Sequence, residues 1–101
     1  MSAVGATARR QPVAVPNPVA LVTGAGPGLG GTLAVALADA GARLVVCDID
    51  PERLALTEQR LRAQGAEVLA RVCDVSDSAA VDALVAEAAR HFGTVHVLVN
   101  N

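Results

Sequence analysis

Aromatic side chains are almost missing from this sequence. There is no Trp and no Tyr, and Phe92 stands alone. Any core built here has to be filled by aliphatic side chains. Lysine is absent too, so all 8 basic residues are arginines. The formal net charge is only −2, which excludes the basic footprint that draws nucleic acid or an anionic membrane surface. No apolar run approaches the ~18 residues of a membrane span. Arg9 and Arg10 are not followed by the continuous apolar stretch of a secretory signal. Cysteine is scarce: Cys47 and Cys73 lie in apolar runs and read as buried thiols in a reducing compartment, not as a disulfide. Together these absences predict a soluble, cytoplasmic protein with neither nucleic acid nor membrane as partner, and no metal site.

What is present is a regular pattern. With 101 residues and 52 % hydrophobic content, the chain is one small globular domain or part of one. Residues 1–18 hold Pro12, Pro16 and Pro18 without periodicity and read as a disordered leader. From Val19 onward, short apolar runs alternate with helical spacing. Val19–Val22, Leu44–Cys47, 67–72 and 95–99 read as strands. Leu29–Ala40 reads as a helix stopped by Gly41. A second helix follows the cap Asp50 and Pro51 and stops at Gly65, and a third follows Ser76 or Asp77 and stops at Gly93. The order β-α-β-α-β-α-β with continuous apolar strands predicts a doubly wound, Rossmann-like α/β fold on a parallel sheet. Right-handed crossovers give the strand order 3-2-1-4, with two helices on one face and one on the other. The fourth strand is then an apolar edge beside a half-covered face. The expectation is therefore residues 19–101 as the amino-terminal part of a domain, truncated after its fourth strand.

The strongest local feature is Thr23-Gly24-Ala25-Gly26-Pro27-Gly28-Leu29-Gly30, between the first strand and the first helix. A dinucleotide pyrophosphate needs backbone at close range, free N–H groups and the positive end of a helix. Glycines in a strand–turn–helix supply all three. Asp48 ends the second strand 18 residues past Gly30, near the ~20 expected for an acid that binds the adenosine ribose hydroxyls. A carboxylate there repels a 2′-phosphate. Apolar Ile49 after it, where an arginine would favour that phosphate, points to NAD in preference to NADP. Asp74-Val75, at the end of the third strand, has two readings: an acceptor for the adenine amino group, or the start of the turn before the helix.

These residues resemble the short-chain dehydrogenase/reductase family. Its T-G-x-x-x-G-x-G pattern is matched by Thr23, Gly24, Gly28 and Gly30, and its acid after the second strand by Asp48. Its D-V pair is matched by Asp74-Val75, and Asn100-Asn101 begin its N-N-A-G motif. The resemblance implies that Asn101 contacts the cofactor region and steadies the central strand. It implies an oxidoreductase passing hydride between a nicotinamide cofactor and an alcohol or carbonyl substrate, with homo-oligomerisation of the parent left open. The family's catalytic Tyr and Lys, its Ser and its further Asn have no counterpart at matching positions, so no catalytic residue is assigned.

Three positions depart from the family pattern. Gly31 replaces a longer side chain, at an expected cost up to ~1 kcal/mol relative to Ala in a helix. Pro27 stands where a hydroxyl or basic group is frequent. His96 stands where relatives often have Asp and reads as a strand histidine without a catalytic role. A non-catalytic NAD-binding module would also lack Tyr and Lys. A methyltransferase carries a glycine turn as well, but Thr23 and the Asn pair speak against it.

Overall fold

Val19–Val22 (β1) is buried at all four positions, as a strand covered on both faces must be. The computed structural model describes residues 17–101. All of the expected leader but Asn17 and Pro18 lies outside the described residues. Those two already belong to the sheet margin: the Asn17 carbonyl accepts from Arg43 Nε at 2.9 Å and the Pro18 carbonyl from the Arg43 N–H at 2.8 Å.

The remaining elements are Leu29–Asp39 (α1), Arg43–Asp48 (β2), Pro51–Ala63 (α2), Val68–Val72 (β3), Ser78–Phe92 (α3) and Val97–Val99 (β4). The four strands form one parallel sheet in the order β3-β2-β1-β4, which is the order expected from right-handed crossovers. Alternation along each strand sorts the core into two layers. Ala20, Val22, Leu44 and Val46 face α1 and α2, where they meet Ala34, Leu54 and Leu61. Val19, Leu21, Val45 and Cys47 face α3, where they meet Leu84 and Ala88.

Local chemistry sets the helix starts. The Asp50 carboxylate accepts from the N–H groups of Glu52 and Arg53, with Pro51 in the first turn. Of the two residues expected to cap α3, Asp77 does so, accepting from Ala79 and Ala80. Ser76 instead donates both its N–H and its hydroxyl to Asp74.

Among the described residues β4 pairs only with β1, and Leu98 is 65 % exposed on this apolar edge. His96, just before β4, has a definite structural task. Its N–H donates to the Val19 carbonyl, and its Nδ1 accepts the Val19 N–H at 2.9 Å. An acceptor is what this position requires, and an aspartate would supply one equally. His96→Ala should therefore strand a buried N–H on the central strand and cost about 1–3 kcal/mol in urea unfolding, with His96→Asp recovering most of it. Equal stability of the Ala and Asp variants would contradict this account.

Candidate functional site

All four strands deliver their carboxyl ends to one edge, and the residues expected to meet the cofactor lie there, whereas His96 lies at the opposite edge beside Val19. β1 leads into the Thr23–Gly30 turn, β2 ends at Asp48-Ile49, β3 leads to Asp74-Val75 and β4 to Asn100-Asn101. In an open parallel sheet this edge is where ligands bind, and the reversal of strand order between β1 and β4 marks the crevice.

The turn is folded so tightly that side chains are excluded from it. A Cβ on Gly30 would overlap the Gly24 carbonyl oxygen. One on Gly31 would lie 2.7 Å from the Gly26 carbonyl oxygen and 3.1 Å from Thr57 Oγ1. The expected helix-propensity cost at Gly31 is thus beside the point: α1 packs against its own turn and against α2 with no room for a methyl group. Gly28 is the opposite case. It precedes α1 with φ 124°, and a Cβ there would meet nothing within 4 Å. Among the described residues no side chain caps α1, and the space beside Gly28 at its start is open.

Thr23 ties the turn to β4. Its N–H donates to the Val99 carbonyl at 3.0 Å and its hydroxyl to Asn100 Oδ1 at 3.1 Å. The hydroxyl also accepts the Asn101 N–H at 3.0 Å, while Asn101 Nδ2 donates to the Gly24 carbonyl at 3.1 Å. Asn101 therefore holds the first glycine of the turn in place.

Asp48 is engaged more fully than its spacing suggested. Oδ2 accepts the Gly26 N–H and Oδ1 the Asp50 N–H, both at 2.9 Å. The same carboxylate that would meet a ribose also fastens the turn to β2. Each oxygen keeps a second lone pair for a ligand.

At Asp74, Oδ1 accepts from the Ser76 N–H and hydroxyl, the arrangement of a turn, and these bonds hold its carboxyl below the usual carboxylate range. Apolar side chains frame the edge: Leu29, Ile49 and Val75 are all at least half exposed. Beneath it, burial pushes the Cys47 thiol up to about 11, which leaves it protonated and unreactive near neutrality. Both cysteines are free and buried.

One residue at this edge escaped the sequence reading. Arg53, in the first turn of α2, donates from Nη2 to the Pro27 carbonyl at 2.7 Å. It reaches the glycine turn from 26 residues away, and no motif spacing announces it.

Comparison with known proteins points to one family. The short chain dehydrogenase family model matches residues 18–101. A Streptomyces violaceoruber protein named for ketoacyl reductase 1 of the granaticin polyketide synthase is 48 % identical over 101 residues, covering 100 % of this chain and 37 % of its own length. Among solved structures, a short chain dehydrogenase/reductase from Burkholderia phymatum in complex with NAD is 46 % identical with TM-score 0.79, over 81 % of this chain and 29 % of that one. A mutant actinorhodin polyketide ketoreductase with NADPH is 44 % identical with TM-score 0.80, over 84 % of this chain and 33 % of that one. The chain thus spans about a third of the length of the relatives it matches.

Proposed function

The chain belongs to the short-chain dehydrogenases, and from that premise we propose that it is the dinucleotide-binding part of an oxidoreductase that passes hydride between NAD(H) and an alcohol/carbonyl pair. One observation carries the reading: at a single sheet edge, open space above the uncapped start of α1 lies beside a carboxylate, Asp48, that still has lone pairs to offer.

The fit to the cofactor follows from these features. The N–H groups of Gly28, Leu29 and Gly30 receive the pyrophosphate, helped by the helix dipole. Asp48 accepts from the ribose hydroxyls. Leu29, Ile49 and Val75 form the apolar surroundings of the adenosine, and the second oxygen of Asp74 is available to the adenine amino group. Thr23 and Asn101 hold the turn in register with β4 while the ligand is bound. The cofactor, when bound, supplies the hydride chemistry. These residues bind it and orient it. With neutral Pro27 and Ile49 beside the Asp48 carboxylate, NAD is the preferred form. The free, buried thiols support a cytoplasmic setting.

Titration calorimetry of the full chain with NAD should show saturable one-to-one binding that 5′-AMP competes away. Absence of binding for both NAD and NADP at millimolar ligand would sink the proposal.

A further inference from the structure

We propose that the groove between α1 and α2 is a second ligand site, separate from the sheet edge, and that it takes a phosphate group on Arg60 and the hydroxyls of Thr32 and Thr57. Its ligand is a small phosphorylated molecule or phosphate itself, and the dinucleotide is not its occupant.

Helical spacing builds the groove, because residues three and four apart share one face of a helix. Gly28, Gly31 and Thr32, at the start of α1, stand across from Leu56, Thr57 and Arg60 of α2 around a cavity of about 250 Å³. Pockets for drug-sized ligands begin at roughly 300 Å³, so this one suits a small group and not a dinucleotide. It shares Pro27 and Gly28 with the glycine turn, but Asp48, Ile49, Asp74 and Asn101 take no part in its lining.

Two side chains in the groove call for a partner. Thr57 is only 4 % exposed. Among the described residues, the side-chain hydrogen bonds within the length of α2 belong to Arg53, Glu58 and Arg62, and Thr57 and Arg60 make none. A helical threonine ordinarily turns its hydroxyl back to the carbonyl four residues earlier, and Thr57 does not. A buried hydroxyl without a partner is an exception among native polar groups and costs stability. Its oxygen faces α1, 3.1 Å from where a Cβ on Gly31 would stand. Gly31 replaces the longer side chain of the family pattern, so at that position α1 brings no side chain over the hydroxyl. Arg60 is exposed. Among the described residues the ion pairs are Arg62–Glu58 and Arg71–Glu87, residues 1–16 contain no Asp or Glu, and no acid lines the groove. The guanidinium offers a planar fork of donors, and Thr32 and Thr57 each offer a hydroxyl. The start of α1 adds its positive dipole end. Donors on both walls and a cation without a carboxylate match a phosphate oxyanion.

The test is an NMR titration of the full chain with inorganic phosphate in chloride buffer, with and without saturating NAD. The amide signals of Thr32 and Thr57 and the Nε–H signal of Arg60 should shift saturably, and NAD should leave the phosphate affinity as it was. Arg60→Met should weaken phosphate about tenfold, the loss of one charge-assisted hydrogen bond. Thr57→Val should weaken it several-fold while its urea midpoint stays the same or rises, because a hydroxyl without a partner has no bond to lose. Glycerol 3-phosphate as a second probe separates the two sources: tighter binding of the ester assigns the site to a phosphorylated metabolite, and weaker binding assigns it to the free ion. Phosphate that NAD displaces, and that moves the Gly28, Leu29 and Gly30 amides instead, belongs to the sheet edge. Phosphate whose affinity neither substitution changes is adventitious, and the absence of shifts leaves the groove to water. Any of these three results overturns the proposal. If NAD itself does not bind, the titration with phosphate alone still decides, since the groove needs no cofactor to form.

Discussion

Gly30→Ala is expected to destabilise the chain by about 3 kcal/mol, the upper end of what overpacking usually costs. The new methyl group would overlap the Gly24 carbonyl oxygen and come within 2.9 Å of its carbon. Neither partner can retreat by changing a rotamer, because both are backbone. Gly30 lies in the first turn of α1, whose Gly31 N–H is bonded to the Gly26 carbonyl. The same Gly24 carbonyl is held by Asn101 Nδ2, which would itself lie 2.9 Å from the new methyl group. To admit a methyl group, α1 has to shift off the sheet, and the packing of Ala34 on Ala20 and Val22 loosens with it. The measurement is the urea midpoint of Gly30→Ala against the unaltered chain. A shift of a few tenths of a kcal/mol would mean that the turn is far more pliable than its geometry implies.

Gly28→Ala separates stability from binding. Nothing lies within 4 Å of a Cβ at Gly28, so the folded chain has only its φ of 124° to accommodate, a strain of about 1–3 kcal/mol. The space that Cβ would enter is the space proposed for the pyrophosphate. Gly28→Ala should therefore cost less stability than Gly30→Ala and still abolish measurable NAD binding in calorimetry. If Gly28→Ala binds NAD normally, the ligand does not approach over the start of α1.

The pattern of what was readable in the sequence has a physical cause. Elements came through because their signals are local. Asp50 before Pro51, Gly65 and Gly93 just past the helix ends, and the apolar runs of the strands each act within a few residues. The strand order followed from handedness, which depends on chain geometry and not on particular side chains. The shared sheet edge of the candidate residues was legible because the glycine turn and Asp48 belong to one βαβ unit of nearly constant length. What stayed hidden was set by partners distant in sequence. His96 looked idle until its ring nitrogen met Val19, 77 residues away. Gly31 looked like a propensity cost until Thr57 and the Gly26 carbonyl closed on it. Arg53 looked like one more solvated helix residue until α2 docked on the turn. Ser76 and Asp77, equivalent as caps on propensity, were separated only by the three-dimensional turn in which Ser76 serves Asp74.

Asp48→Ala is expected to weaken NAD binding on the order of a hundredfold, since two hydrogen bonds to a charged group are worth about 3 kcal/mol together. The structure adds a second consequence. The N–H groups of Gly26 and Asp50 lose their acceptor, so the turn itself is released from β2 and stability should fall by about 1–2 kcal/mol. A drop in NAD affinity alone cannot distinguish a lost ribose contact from a loosened turn, and the choice of probe resolves the two. With a direct contact, the penalty of Asp48→Ala should be large for 5′-AMP and small for 2′,3′-dideoxyadenosine 5′-phosphate, which has no ribose hydroxyls to offer. With a turn-only role, both probes should weaken alike, because both depend on the same start of α1 for their phosphate. The first outcome makes Asp48 a ligand that also braces its own site. The second leaves it a brace that holds the turn to β2 through Gly26 without touching the ligand.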